Sequence, residues 1–247
     1  MSNTYEKEVV IPSRGLLYED IPGEFTIRNI TTKEEKLIYS NDNEDFMYDL
    51  VEACTIEPEE VDLDQMVVAD VHFLLVQLRM HTYGTEYNIE HSCNYCDYPN
   101  KWQVDFRDFD IYELEDDFVE PVEFTLPISE DEIGIKLLRG KDIKAIDKET
   151  ERKIRKQMTV KGDPTMEIRM KKYIHSINGE EVSDPEAELY INKGLHGKDS
   201  AYFWSKINGI ELGYDTTIRR KCINHRCKKM NEFAMPLTPE FFRPSFD

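Results

Sequence analysis

Four of the five cysteines fall into two close pairs, Cys93-Asn94-Tyr95-Cys96 and Cys222-Ile223-Asn224-His225-Arg226-Cys227. Thiolates are soft donors, and a spacing of two to four residues lets one turn present two of them to a single ion. Two such turns complete the tetrahedron that zinc prefers. The pairs are read as two knuckles of one structural Zn2+ site, with Cys93, Cys96, Cys222 and Cys227 as ligands. The second pair is irregular, and His225, at Cys-x-x-His spacing from Cys222, is the alternative to Cys227 as fourth ligand. Paired cysteines also serve as redox motifs, as disulfides, or with no shared role. A redox Cys-x-x-Cys usually precedes a helix, whereas Trp102, Val104 and Phe106 alternate after Cys96 as a strand does. Cys54 sits in an apolar helical setting and reads as a core thiol. Four protein ligands leave zinc no open position, so the site predicts a structural role and a chain that is not an enzyme.

Other chemical signatures are missing. Gly197-Lys198-Asp199-Ser200 lacks the upstream glycine of a phosphate loop, and there is no dinucleotide fingerprint, His-Glu-x-x-His or Gly-x-Ser-x-Gly. Asp108-Phe109-Asp110 starts like a calcium loop but lacks its glycine. His72 and His81 fall on or near a core helix, where a hydrogen-bonded structural histidine is expected. A net charge of −19 argues against a general nucleic-acid binder and against a surface that clings to anionic lipid, and favours protein partners. The second knuckle is the local exception, flanked by Arg219, Arg220, Lys221, Arg226, Lys228 and Lys229. Basic zinc modules often contact DNA or RNA, which keeps a nucleic-acid-binding regulator as an alternative. No apolar run approaches bilayer length, and Met1–Glu6 has neither the basic nor the apolar region of a signal peptide. The expected compartment is a reducing cytoplasm, with no membrane.

The knuckles need elements to hold them. Val67, Val71, Leu74, Leu75 and Leu78 mark one face of a helix within Met66–Met80, with Phe73 and Val76 on other sides and Gly84 as its stop. Tyr87 and Ile89 then form a strand running into Cys93. Upstream, Pro12-Ser13-Arg14-Gly15 predicts a turn, Phe25 and Ile27 a strand, and Thr31 or Thr32 with Glu34 or Glu35 a capping box. A further helix is expected over 44–54. Residues 107–120, acidic with no period, read as a linker or surface loop. Two strands are expected around 129–132, then helices over 141–158, 165–176 and 185–193, and a last helix capped by Asp199 and carrying Tyr202, Phe203 and Ile207.

Between the knuckles lie 125 residues, more than ordinary ribbon spacing, and an inserted domain accounts for them. The expected class is α+β: a helical and strand core with a zinc-ribbon-like two-knuckle site, and an α+β insertion between the knuckles. Residues 1–110 with 199–247 form the core, and 121–198 the insertion. A faint internal echo supports the pairing of knuckles: Asp70 and Asp199 each precede the first cysteine of a pair by 23 residues, Gly84 and Gly213 by nine, Ile89 and Ile218 by four.

In their order, Ile11-Pro12-Ser13-Arg14-Gly15-Leu16-Leu17-Tyr18, Phe25-Thr26-Ile27-Arg28, Leu74-Leu75-x-x-Leu78-Arg79 with Tyr83-Gly84, the two knuckles, and Pro239-Glu240-Phe241-Phe242-Arg243-Pro244 resemble the baseplate hub assembly proteins of T-even-like contractile-tailed phages. The irregular second knuckle departs from the usual spacing. The resemblance implies a viral late protein in the host cytoplasm, partnered by baseplate hub proteins and without catalytic chemistry. It implies an assembly chaperone or a structural component retained in the virion baseplate. Phe241-Phe242 and Phe246, flanked by prolines, either dock on a partner or pack on the protein's own core. The sequence leaves the oligomeric state open.

Overall fold

A computed structural model describes residues 5–40, 45–156, 164–235, 237 and 239–242. Its first fixed point is the turn after Ile11. Strands β1 (Glu6–Val10) and β2 (Glu24–Arg28) pair antiparallel, and Arg14 and Gly15 between them take left-handed backbone. Arg14 lies so close to Gly23 that a Cβ there would sit 2.5 Å from the Arg14 carbonyl oxygen, an approach only glycine permits. Helices α1 (Thr32–Ser40) and α2 (Asp45–Cys54) follow, then β3 (Thr55–Glu57), which adds to the free edge of β2.

Thr31 and Glu34 start α1. Glu34 Oε2 accepts from the Thr31 N–H at 3.0 Å, and Thr31 Oγ1 accepts from the Lys33 N–H at 3.3 Å. Glu34 also pairs with Arg28, which donates to the Ala53 carbonyl at 2.6 Å. One buried carboxylate thus joins β2 and α1, and through Arg28 reaches α2.

Helix α3 (Val68–Tyr83) is the central element, burying Val71, Phe73, Leu74, Leu75, Val76 and Leu78 together with Asp70, Gln77 and Arg79. It stops where predicted: Gly84 is left-handed and its N–H returns to Met80 O at 3.0 Å. Arg79 is buried without a carboxylate partner among the described residues. It donates to the Gly84 and Glu86 carbonyls, and its guanidinium lies 5.2–5.8 Å from the rings of Tyr87, Phe106 and Phe241. Phe241 and Phe242 therefore pack in the protein's own core instead of waiting for a partner; Phe246 lies outside the described residues.

Strands β4 (Glu86–Ser92) and β5 (Pro99–Asp105) form a hairpin, and Phe106 turns into a 3-10 segment instead of extending the strand. The segment 107–120 is more than a linker. β6 (Ile111–Tyr112) pairs with a later strand, and buried Leu114, the apolar residue among acids, donates its N–H to Pro12 O at 3.1 Å.

The middle of the chain builds a four-stranded sheet with order β10-β9-β8-β7. Its elements are β7 (Val122–Thr125), β8 (Glu132–Ile135), α4 (Gly140–Lys156), α5 (Thr165–Tyr173), β9 (Ile174–Ile177), β10 (Glu180–Glu181), α6 (Asp184–Asn192) and α7 (Gly197–Asn208). Residues 157 and 158, the end of the helix expected over 141–158, lie outside the described residues. The helix expected through 176 ends at Tyr173: Ile174 and Ser176 alternate inward and pair with β8, and left-handed Asn178 and Gly179 make the hairpin turn into β10. His196, not Asp199, caps α7, its Nδ1 accepting from Lys198 N at 3.2 Å. Asp199 is used across the fold instead, accepting from the N–H groups of Ile128 and Ser129 at 2.8 and 3.1 Å.

The chain closes with β11 (Gly213–Tyr214), which pairs with β6, and the hairpin β12 (Thr217–Lys221) and β13 (Met230–Ala234). The fold is mixed α+β, with seven α-helices and several small sheets among the described residues. One large apolar cluster runs from Val9 to Phe106 and takes in Ile218, Met235, Phe241 and Phe242 from the chain's end. A second gathers Phe124, Ile133, Ile135, Met170, Ile174, Phe203 and Ile207.

Candidate metal centre

The two cysteine pairs sit at the tips of the β4–β5 and β12–β13 hairpins, and both tips are built alike. The Cys93 N–H donates to Tyr98 O and the Cys222 N–H to Lys229 O, each at 2.9 Å, closing the turns. Asp97 and Lys228, each directly after the second cysteine of its pair, are left-handed. The extra residues of the second knuckle are taken up by a turn in which Cys227 N and Lys228 N both donate to Asn224 O. Phe233 fastens the hairpins together, stacking on His91 with ring centroids 3.9 Å apart and lying 5.9 Å from Trp102.

This construction brings the Sγ atoms of Cys93, Cys96, Cys222 and Cys227 within 4.8 Å of one another. Cys93 and Cys227 approach to 3.8 Å, as do Cys96 and Cys222. All are free thiols and far beyond a disulfide's length of about 2.05 Å. A tetrahedron with metal–sulfur distances of about 2.3 Å has an edge of about 3.8 Å. The two closest sulfur pairs match that edge. His225 is exposed and stands outside the cluster. Cys54 is buried among apolar residues, and burial pushes its pKa up to about 12.

The electrostatics are compatible with a bound cation. Burial opposes the Cys93 thiolate, but N–H groups of Tyr95 and Cys96, with the Asn231 amide, bring its pKa down to about 6. Burial, and then the neighbouring Cys93 and Cys96, push Cys222 up to about 11. The Lys229 N–H favours the Cys227 thiolate, yet burial and the other sulfurs raise its pKa overall. Sulfurs this close resist ionising together, and a bound divalent cation removes that conflict. The donor set is all thiolate, which selects soft or borderline ions such as zinc.

Two residues at the site were not singled out by the sequence reading: Asn100 on β5 and Asn231 on β13, both fully buried. Their only sequence signal is position, a strand-disfavoured amide shortly after each cysteine pair. The echo between Asp70 and Asp199 gains structural content. Asp70 accepts from Ser13 N at 3.0 Å and from the Tyr18 hydroxyl at 2.6 Å, so both buried carboxylates pin a turn just after a proline. The Gly213 part of the echo differs: α7 ends at Gly209, and left-handed Gly213 opens β11 against Ala69.

Residues 3–242 match a protein family described as T4 bacteriophage base plate protein. No curated protein and no solved structure matches the chain.

Proposed function

From the chain's place in the T4 bacteriophage base plate protein family, to which it belongs by a match over nearly its whole length, we propose that it is a non-enzymatic assembly chaperone for the baseplate hub, stabilised by a structural zinc ion. The observation that carries the zinc part is the closed set of four thiolates, which leaves a bound ion no free position for substrate. The chaperone part is supported by a charge of −19, suited to soluble, reversible contacts that shield hub subunits from wrong ones. Its partners are other baseplate proteins, and its place of work is the host cytoplasm. No helix among the described residues is long and apolar enough to cross a membrane.

Quantitative mass spectrometry of purified virions beside infected-cell lysate tests this. Abundance in lysate with absence from virions is the expected result. Retention in virions at a baseplate stoichiometry replaces the chaperone with a structural component. A nucleic-acid role draws on Lys221, Arg226 and Lys228, which are exposed and make no ion pair among the described residues. It requires a salt-dependent DNA or RNA mobility shift that disappears when Arg219 and Arg220 are reversed in charge.

A further inference from the structure

The two knuckles hold each other by an exchange that the four ligands alone do not require. Asn100 Oδ1 accepts from Ile223 N at 2.8 Å, and Asn231 Oδ1 accepts from Asn94 N at 2.9 Å. Ile223 and Asn94 occupy equivalent places, each directly after the first cysteine of its pair. The amide nitrogens also bond within their own hairpins. Asn100 Nδ2 donates to Tyr98 O at 2.9 Å and Asn231 Nδ2 to Lys229 O at 3.3 Å. Those two carbonyls are the ones that accept from Cys93 N and Cys222 N. Each asparagine therefore grips the closing bond of its own knuckle with one end and the first-cysteine turn of the opposite knuckle with the other. The arrangement is two-fold in its bonding, with the sulfur cluster between the two amides.

A buried amide is unfavourable unless it is hydrogen-bonded, and both amides are fully buried. The N–H groups of Asn94 and Ile223 lie inside turns and have no backbone acceptor among the described residues. The exchange meets both needs at once, and it does so only when the two hairpins face each other.

We propose that Asn100 and Asn231 are positioning residues of the metal site, each setting the first cysteine of the opposite knuckle, so that the two halves take up one ion as a unit and neither half is a competent site alone. This rests on the metal reading given above. Groups that orient ligands from behind typically change metal affinity by about 10- to 100-fold when removed.

The test is zinc competition with a chromophoric chelator on the full chain, with amide hydrogen exchange on the same samples. N100A and N231A are each expected to weaken zinc binding about 10- to 100-fold. N88A, at an exposed asparagine of β4, is expected to leave it unchanged. The exchange result is crossed: N231A exposes the Asn94 amide in the first knuckle, and N100A exposes that of Ile223 in the second. Where an alanine variant fails to fold, N100D and N231D keep an accepting oxygen and are expected to retain the crossed protection. Wild-type zinc affinity in both alanine variants overturns the proposal while leaving the metal reading intact. An equal loss of stability with and without zinc overturns it too. A wild-type chain that holds no zinc defeats the metal reading itself.

Discussion

Buried polar side chains decide where this chain's loops are held, and Asp70 and Asp199 show how the setting of one carboxylate scales its worth. Asp70 serves the N–H of Ser13, a residue with no exposed surface, and the hydroxyl of Tyr18. Removing it strands the Ser13 N–H where water does not reach, a loss of about 1–3 kcal/mol, and takes the bond from the half-buried Tyr18 hydroxyl as well. Asp199 serves the N–H groups of Ile128 and Ser129, both exposed, which water can satisfy once the carboxylate is gone. Asp70→Ala is therefore expected to cost about 2–4 kcal/mol and Asp199→Ala about 1–2 kcal/mol in urea denaturation. Equal costs would show that rehydration of the donors does not matter. The same residues mark a limit of sequence reading. Asp199 stands where a helix cap is expected, yet its acceptors are spent about seventy residues away, and His196 takes the cap. Asn100 and Asn231 were invisible for the same reason, because their meaning lies in partners more than 120 residues distant.

At the scale of elements, local signals were read correctly where they were self-sufficient. The α3 stripe with its Gly84 stop and the Thr31–Glu34 start each need only neighbours within a few turns of chain, and the Pro12–Gly15 turn is signalled by its own residues although Asp70 pins it from afar. The end of α5 did not, since Ile174–Ile177 leaves the helix to pair with a strand from the 122–135 hairpin. The α1 start carries a pH prediction. Arg28, then the Thr31 side chain and N–H, outweigh burial and hold the Glu34 pKa down to about 2, against an ordinary value near 4.5. A depressed carboxylate pKa adds stability that is fully present above the ordinary value and is lost as pH falls toward the depressed one. That contribution is on the order of 3 kcal/mol. The stability gap between wild type and Glu34→Gln should therefore shrink steadily from pH 5 to pH 2. Acid would also release any thiolate-bound metal, but equally in both proteins, so the gap isolates Glu34. A gap that stays constant across this range would assign the cost of the variant to packing.

Across the whole molecule, the four-cysteine cluster brings together stretches of chain that nothing in sequence keeps close. Cys96 and Cys222 are separated by 125 residues, and a covalent cross-link around a loop of that order is worth on the order of 4 kcal/mol through the unfolded chain alone. The C-terminal hairpin is otherwise attached by Ile218 in the main core, the Phe233 stack, the Lys229 ammonium over the Tyr95 ring, Asn224 beside Cys96, and the asparagine exchange. The second knuckle also carries six basic residues and no acidic one between positions 216 and 231. Trypsin cleaves after such residues only if the backbone can be drawn out straight, and the turn bonds around Cys222 and Cys227 prevent that while the knuckle is closed. Chelation is expected to open this segment first, because a site of four thiolates gives up its stabilisation when the ion leaves. Limited trypsin digestion should then cut between Arg219 and Lys229 in chelated protein and spare that stretch in zinc-loaded protein, with cuts elsewhere as the internal reference. Added zinc should restore protection, and Cys93→Ser should be cut there without any chelator. Equal cutting in both states would mean that the hairpin is held by its aromatic and amide contacts and that the ion adds nothing to the closure of the molecule.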